Sequence, residues 1–120
     1  MPTISNVVLS IRPGTSPNYT IRVAYTVRFS SIEIDARSTF MEKITLLGDD
    51  PIFNDVRTTV GNGTIVATSS SMNRSYERVV SRSVLNEDPE GGDELFARIE
   101  LTPFSAVKAS ANSRNVEGSY

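Results

Sequence analysis

Two acidic segments hold the side chains best suited to bind a cation. They span residues 48–55 and 86–94 and together carry eight of the fourteen carboxylates. Ca²⁺ takes roughly six to eight oxygen ligands from carboxylates and carbonyls, often on loops. The residues that could supply these ligands are Asp49, Asp50, Asp55, Glu87, Asp88 and Asp93. The same composition is ordinary for turns, and the spacing of an EF-hand is missing, so both interpretations stay open.

A second candidate surface is rich in arginine, since the chain has ten Arg and only two Lys. Arg22 and Arg28 fall on the polar face of one predicted strand, and a later segment carries Tyr76, Arg78 and Arg82 at alternate positions. If these faces share a sheet, they form a basic surface that could bind a protein, another copy of the chain head to tail, or single-stranded nucleic acid. A solvated outer face is the competing interpretation. The net charge of -2 makes nucleic acid the weakest of these partners.

Composition argues against most enzyme chemistry. The chain has no His and no Cys, which excludes Ser-His-Asp and Cys-His nucleophiles, zinc fingers and disulfides. A pair of carboxylates could cleave a glycosidic bond, but the chain has no Trp to form a sugar platform. We therefore expect a non-catalytic protein that needs no cofactor, apart from the Ca²⁺ considered above.

Alternation of apolar and polar residues predicts a series of β-strands. The clearest case is residues 19–30, where every odd position is apolar and most even positions are polar. Shorter alternating or apolar runs cover residues 7–11, 40–47, 94–102 and 115–120, and residues 74–85 are β-like with an ambiguous buried face. No segment predicts a helix.

Two local features do not fit simple alternation. Glu42 lies on the same face of its predicted strand as Phe40 and Ile44, which predicts either a bulge or a position at the rim of the sheet. Residues 60–65 contain Gly61-Asn62-Gly63, which predicts a tight hairpin turn because Asn-Gly readily adopts positive φ angles.

Seven to eight short strands in 120 residues predict one all-β domain, residues 1–120, folded as an antiparallel sandwich. The long second strand and the final pair, residues 94–102 and 115–120, resemble those of an immunoglobulin-like or fibronectin type III sandwich. That resemblance implies that both acidic loops leave the same end of the sandwich and that the two Arg-bearing strands are neighbours. The chain departs from the family in having no core Trp, no disulfide and no tyrosine corner.

The function predicted from these features is protein binding or self-assembly by a β-sandwich, with a homo-oligomer as one form of it. A Ca²⁺-binding sandwich that uses the acidic loops is the alternative. No apolar run reaches the roughly 18 residues that span a bilayer, so we expect no membrane partner. The first residues lack the pattern of a signal peptide, which predicts a cytoplasmic location, with a mature segment or secretion by another route as the alternatives.

Overall fold

Eight β-strands and two short helices make up the described part of the chain. The structure is a computed structural model and describes residues 2–48, 55–85, 93–104 and 109–118. The strands are β1 (Thr3–Pro13), β2 (Asn18–Arg28), β3 (Thr39–Gly48), β4 (Asp55–Val66), β5 (Ser71–Ser81), β6 (Asp93–Pro103), β7 (Ala109–Asn112) and β8 (Val116–Gly118). The helices are α1 (Ser31–Asp35) and α2 (Arg82–Leu85).

The strands form two antiparallel sheets packed face to face. The first sheet has the order β1-β2-β5. The second has the order β4-β3-β6-β7, and β8 pairs with the part of β6 that precedes the β7 pairing. The predicted all-β antiparallel sandwich of seven to eight strands is confirmed.

The core lies between the sheets and is built from the alternating positions. Strand β2 contributes Ile21, Val23, Tyr25 and Val27, and β6 contributes Leu95, Ala97, Ile99 and Leu101, all of them buried. Burying a side chain as large as Ile or Leu contributes about 1.5–3 kcal/mol. The period-two pattern therefore identified the inner faces of both strands correctly.

The hairpin turn predicted for residues 60–65 is wrong, because the segment lies inside the continuous strand β4. Gly61 and Gly63 pair with Ile44 and Glu42 of β3, and neither glycine has a positive φ. The ladder between β3 and β4 shifts register twice, which leaves Val60 and Arg57 as extra residues on β4. These bulges lie after Ile44 and do not explain Glu42, which pairs regularly with Gly63 and Leu101 and is buried. Both the bulge at Glu42 and the position at the sheet rim are therefore wrong as predictions.

Two short helices, which the sequence analysis did not expect, interrupt the strand series. Helix α1 begins with a capping box, in which the Ser30 hydroxyl accepts from the Glu33 N–H and the Glu33 carboxylate accepts from the Ser30 N–H. Helix α2 ends the β-like segment at Ser81 and buries Leu85. Neither helix of the described residues has the length and apolar character needed to cross a membrane.

Candidate functional site

The predicted calcium ligands fall largely outside the described residues. Asp49, Asp50, Glu87 and Asp88 belong to segments 49–54 and 86–92, which the structure does not describe, and for Asp55 and Asp93 it describes the backbone alone. The flanking strands do meet, because Gly48 pairs with Asp55 on one side and with Leu95 on the other. Within the described residues no cluster of acidic side chains is arranged to hold a metal. The calcium site stays a prediction.

The residues of the predicted basic surface lie on opposite faces of the first sheet. Strands β2 and β5 are neighbours, as the resemblance implied. Arg22 and Arg28 are exposed on the outer face, but Arg78 pairs with Ile21 and Tyr76 pairs with Val23, so both point to the inner face. Paired residues of neighbouring strands share a face, which is why the two sets separate.

Arg82 does not join either set, because it begins helix α2. On the outer face, the guanidinium of Arg22 lies 3.8 Å from the Glu77 carboxylate, and both side chains are more than half exposed. A pair this exposed contributes little to stability. The four arginines of the predicted basic surface therefore do not form one face of the sheet.

The inner face of β5 carries a buried polar cluster, which we define as Glu42, Arg74 and Tyr76. Glu42 projects from β3 of the second sheet, and its side chain is fully enclosed. The Arg74 guanidinium donates to both carboxylate oxygens, from Nη2 to Oε1 at 2.8 Å and from Nε to Oε2 at 3.2 Å. The Tyr76 hydroxyl donates to Oε1 and accepts from Arg74 Nη2 at 3.1 Å. A closed network of charge-assisted hydrogen bonds thus joins the two sheets.

The electrostatics of this cluster follow from its burial and its pairing. The hydrogen bond and charge of Glu42 raise the pKa of the Arg74 guanidinium above its usual value. Burial raises the pKa of Tyr76, and the hydrogen bond to Glu42 raises it further. Arg74 and Tyr76 therefore stay protonated, and the carboxylate of Glu42 keeps its donors at neutral pH.

The two glycines of β4 make room for this cluster. A Cβ atom on Gly61 would lie 2.4 Å from Cδ1 of the Tyr76 ring, and one on Gly63 would lie 2.4 Å from the Tyr76 hydroxyl oxygen. Contacts this short are sterically forbidden, so the Tyr76 ring can cross β4 only where side chains are missing. Close approach explains the glycines that the sequence analysis assigned to a turn.

A second link joins β5 to the opposite sheet. Arg78 Nη1 donates to the backbone carbonyl of Thr59 at 2.6 Å, beside the bulged residue Val60. Bulges interrupt ladder pairing and leave main-chain groups to find other partners. Together with the buried cluster, this bond holds β5 against the second sheet at three consecutive inward positions, residues 74, 76 and 78.

The carboxylate of Glu42 is not available to a ligand, because its hydrogen bonds are made within the domain. Both Glu42 oxygens accept hydrogen bonds from within the domain, and the side chain has no exposed surface. A carboxylate in this state fixes the position of its partners. By holding Arg74 and Tyr76, the Glu42 carboxylate fixes the orientation of β5, which forms the outer edge of the first sheet.

The outer edge of the first sheet is formed by β5. In the described residues β5 pairs with β2 alone, in unbroken register from Ser71 opposite Arg28 to Ser81 opposite Asn18. The Phe29 N–H donates to the Ser70 carbonyl and the Arg82 N–H to the Pro17 carbonyl, so even-numbered residues occupy the hydrogen-bonded pairs with β2. The odd-numbered residues, which are Ser71, Asn73, Ser75, Glu77, Val79 and Ser81, therefore direct their N–H and C=O groups away from β2.

The other edges of the two sheets are each interrupted. Strand β1 has a bulge after Ser5, where Asn6 takes a positive φ of 53°. Strand β4 has its two bulges. The edge formed by β7 and β8 breaks at Ser113, whose hydroxyl accepts from the Ala97 N–H. Natural sheets use such irregularities to prevent pairing with another chain, and β5 has neither a bulge nor a proline.

Two signals in the sequence indicate features that were not predicted from it. Ser30 and Glu33 have the spacing of a capping box and precede an apolar residue, which indicates the start of α1. Glu42 on an apolar strand face indicates a buried charge that requires a cationic partner. No sequence signal named that partner, because Arg74 lies 32 residues away on the other sheet.

Comparison of the chain with protein-family models, with curated proteins and with solved structures gives no match.

Proposed function

We propose that this protein is a non-catalytic β-sandwich module that binds a polypeptide chain along an exposed sheet edge, with self-assembly as one form of that binding. The observation that carries the proposal is the unbroken edge of β5. Its odd-numbered residues from Asn73 to Val79 present successive donors and acceptors at the spacing that an added strand requires, whereas the N–H and C=O of Ser71 are already bonded to the Ser69 hydroxyl. Each backbone hydrogen bond formed there contributes about 0.5–1.5 kcal/mol.

Preorganisation supports this proposal. A strand that must straighten before it pairs loses affinity through the entropy of ordering. Strand β5 is held by Arg74 and Tyr76 on Glu42 and by Arg78 on the Thr59 carbonyl. Its outer-face residues from Ser71 to Val79 are all exposed, so an approaching strand meets side chains that are mostly small and polar.

Strand order supports the narrower assignment to an immunoglobulin-like sandwich. Strands β1-β2-β5 and β3-β6-β7 repeat the A-B-E and C-F-G neighbours of that fold, and β4 pairs with β3. Domains of this architecture carry many functions, so the assignment adds nothing about the partner.

Two measurements test the proposal. Light scattering across a concentration range should give a mass above the 13.1 kDa of one chain, if copies bind each other. Selection from a library of displayed random 12-residue peptides should enrich alternating, strand-forming sequences, if the edge takes other chains. A monomeric mass at every concentration together with no enriched peptide would reject the proposed function.

A further inference from the structure

We propose that the partner of the β5 edge is β5 of a second copy, paired antiparallel about a two-fold axis at Ser75. This inference rests on the proposed function and specifies its partner. The two three-stranded sheets then become one six-stranded sheet of order β1-β2-β5 followed by the second copy's β5-β2-β1. Such an interface is isologous, because the same edge is used by both copies.

The alternation along β5 of backbone groups that face β2 and backbone groups that face away from it permits this pairing. A new antiparallel partner must offer outward N–H and C=O groups opposite those of Asn73, Ser75 and Glu77. A second β5 offers the same odd-numbered residues. Centred on Ser75, the pairing places Ser75 opposite its own copy and Asn73 opposite Glu77, so outward groups meet outward groups throughout.

Charge selects the register. Two-fold registers that pair seven or more residues of β5 are centred on Arg74, Ser75, Tyr76, Glu77 or Arg78. Centres at Arg74, Glu77 and Arg78 each place that residue opposite its own copy, and the centre at Tyr76 places Arg74 opposite Arg78. Like charges directly opposite each other destabilise a strand pair. The Ser75 centre is the one register of this set that avoids them, since it places Arg74 opposite Tyr76 and Arg78 opposite Met72.

The inward charges of β5 do not protect this edge. An inward-pointing charge normally discourages pairing, because an added strand would remove it from water. In this domain Arg74 is already bound by the Glu42 carboxylate, and Arg78 already donates to the Thr59 carbonyl. Adding a strand beside them leaves neither guanidinium without a partner.

Single cysteines test the register directly, because the chain has none of its own. Paired residues at the axis have Cα atoms about 5.5 Å apart, within the range that a disulfide spans. We expect Ser75→Cys to form a disulfide-linked dimer at least about tenfold faster than Ser71→Cys, because pairing raises the local thiol concentration. Ser71→Cys is the matched control, on the same strand and face, and its two copies would lie about 27 Å apart.

Two further variants should weaken dimerisation without unfolding the domain, and light scattering measures the mass of each. Ser75→Pro removes an outward N–H without removing a bond to β2, so it should stay folded and monomeric. Ser75→Lys keeps the backbone intact and places two positive charges at the axis, so its dimer should weaken most at low salt.

The outcomes distinguish the inference from the function on which it rests. A wild-type mass near twice 13.1 kDa with preferential Ser75→Cys crosslinking supports the pairing. An oligomer in which Ser71→Cys crosslinks as fast as Ser75→Cys overturns the pairing and leaves assembly in place. A monomer that enriches displayed peptides overturns the pairing and leaves chain binding in place.

Discussion

Removing the guanidinium of Arg74 is the most direct test of the buried cluster. Arg74→Met keeps much of the apolar stem and leaves the Glu42 carboxylate enclosed without its cation. Loss of one partner of a buried ion pair costs about 3–5 kcal/mol of unfolding free energy. With about 2.1 cal/mol/K of unfolding entropy per residue, 120 residues convert that loss to a fall in Tm of about 12–20 °C.

Two comparisons show whether the loss arises from the stranded charge. Arg22→Met breaks an exposed pair at 3.8 Å and should change the unfolding free energy by less than about 1 kcal/mol. The triple variant Glu42→Leu, Arg74→Met and Tyr76→Phe removes the charges and the hydroxyl together. It should recover most of the loss, because apolar replacement of a buried ion pair is often neutral or stabilising.

Urea unfolding followed by far-ultraviolet circular dichroism measures all three variants on one scale. The chain has no Trp, so the sheet signal is the better probe. The reasoning is refuted if Arg74→Met is no less stable than Arg22→Met, or if the triple variant is no more stable than Arg74→Met. Either result would mean that Glu42 obtains its stabilisation from elsewhere.

Three further predictions concern β4, pH and calcium. Gly61→Ala should cost about 1–3 kcal/mol by overpacking against the Tyr76 ring, and the cost should shrink when Tyr76→Ala is present; an equal cost in both backgrounds contradicts the contact. Because the folded pKa of Tyr76 is raised, its contribution to stability is complete below about pH 10 and is lost as pH rises through the folded value. Wild type should therefore lose more stability than Tyr76→Phe between pH 10 and 12, as measured by urea unfolding, and parallel losses would count against it. If the acidic loops bind Ca²⁺, millimolar Ca²⁺ should raise Tm, and Asp49→Ala or Asp88→Ala should abolish the rise; a Tm indifferent to Ca²⁺ removes that hypothesis.

The inner faces of β2 and β6 were predictable because the alternation of apolar and polar residues in each strand is a local pattern. Ile21, Val23 and Val27 recur every second residue, and a strand with one buried face requires that period. The same logic assigned Ile99 and Leu101 of β6. Neither conclusion depends on what lies across the sheet, so no tertiary information was needed.

The arginine surface was predicted less well, because alternation along one strand does not show which residues of the neighbouring strand lie on the same face of the sheet. Arg22 was placed correctly on the outer face of β2, whereas Arg78 was expected on that same outer face although the buried face of its own segment was ambiguous. Whether the two residues share a face depends on register, and the pairing of Ile21 with Arg78 turns Arg78 inward. Register between β2 and β5 is a property of the assembled sheet.

The sequence by itself therefore determined the class of fold, the inner faces of β2 and β6, and the presence of a carboxylate, Glu42, on an otherwise apolar strand face. Tertiary structure alone decided what that carboxylate means. Its partners Arg74 and Tyr76 come from the opposite sheet, and the glycines beneath Tyr76 serve close approach where local propensity indicated a turn. The physical reason is the same in each case. Periodicity and turn propensity are set by neighbours along the chain, whereas a buried charge and a close packing contact are set by residues that only folding brings together.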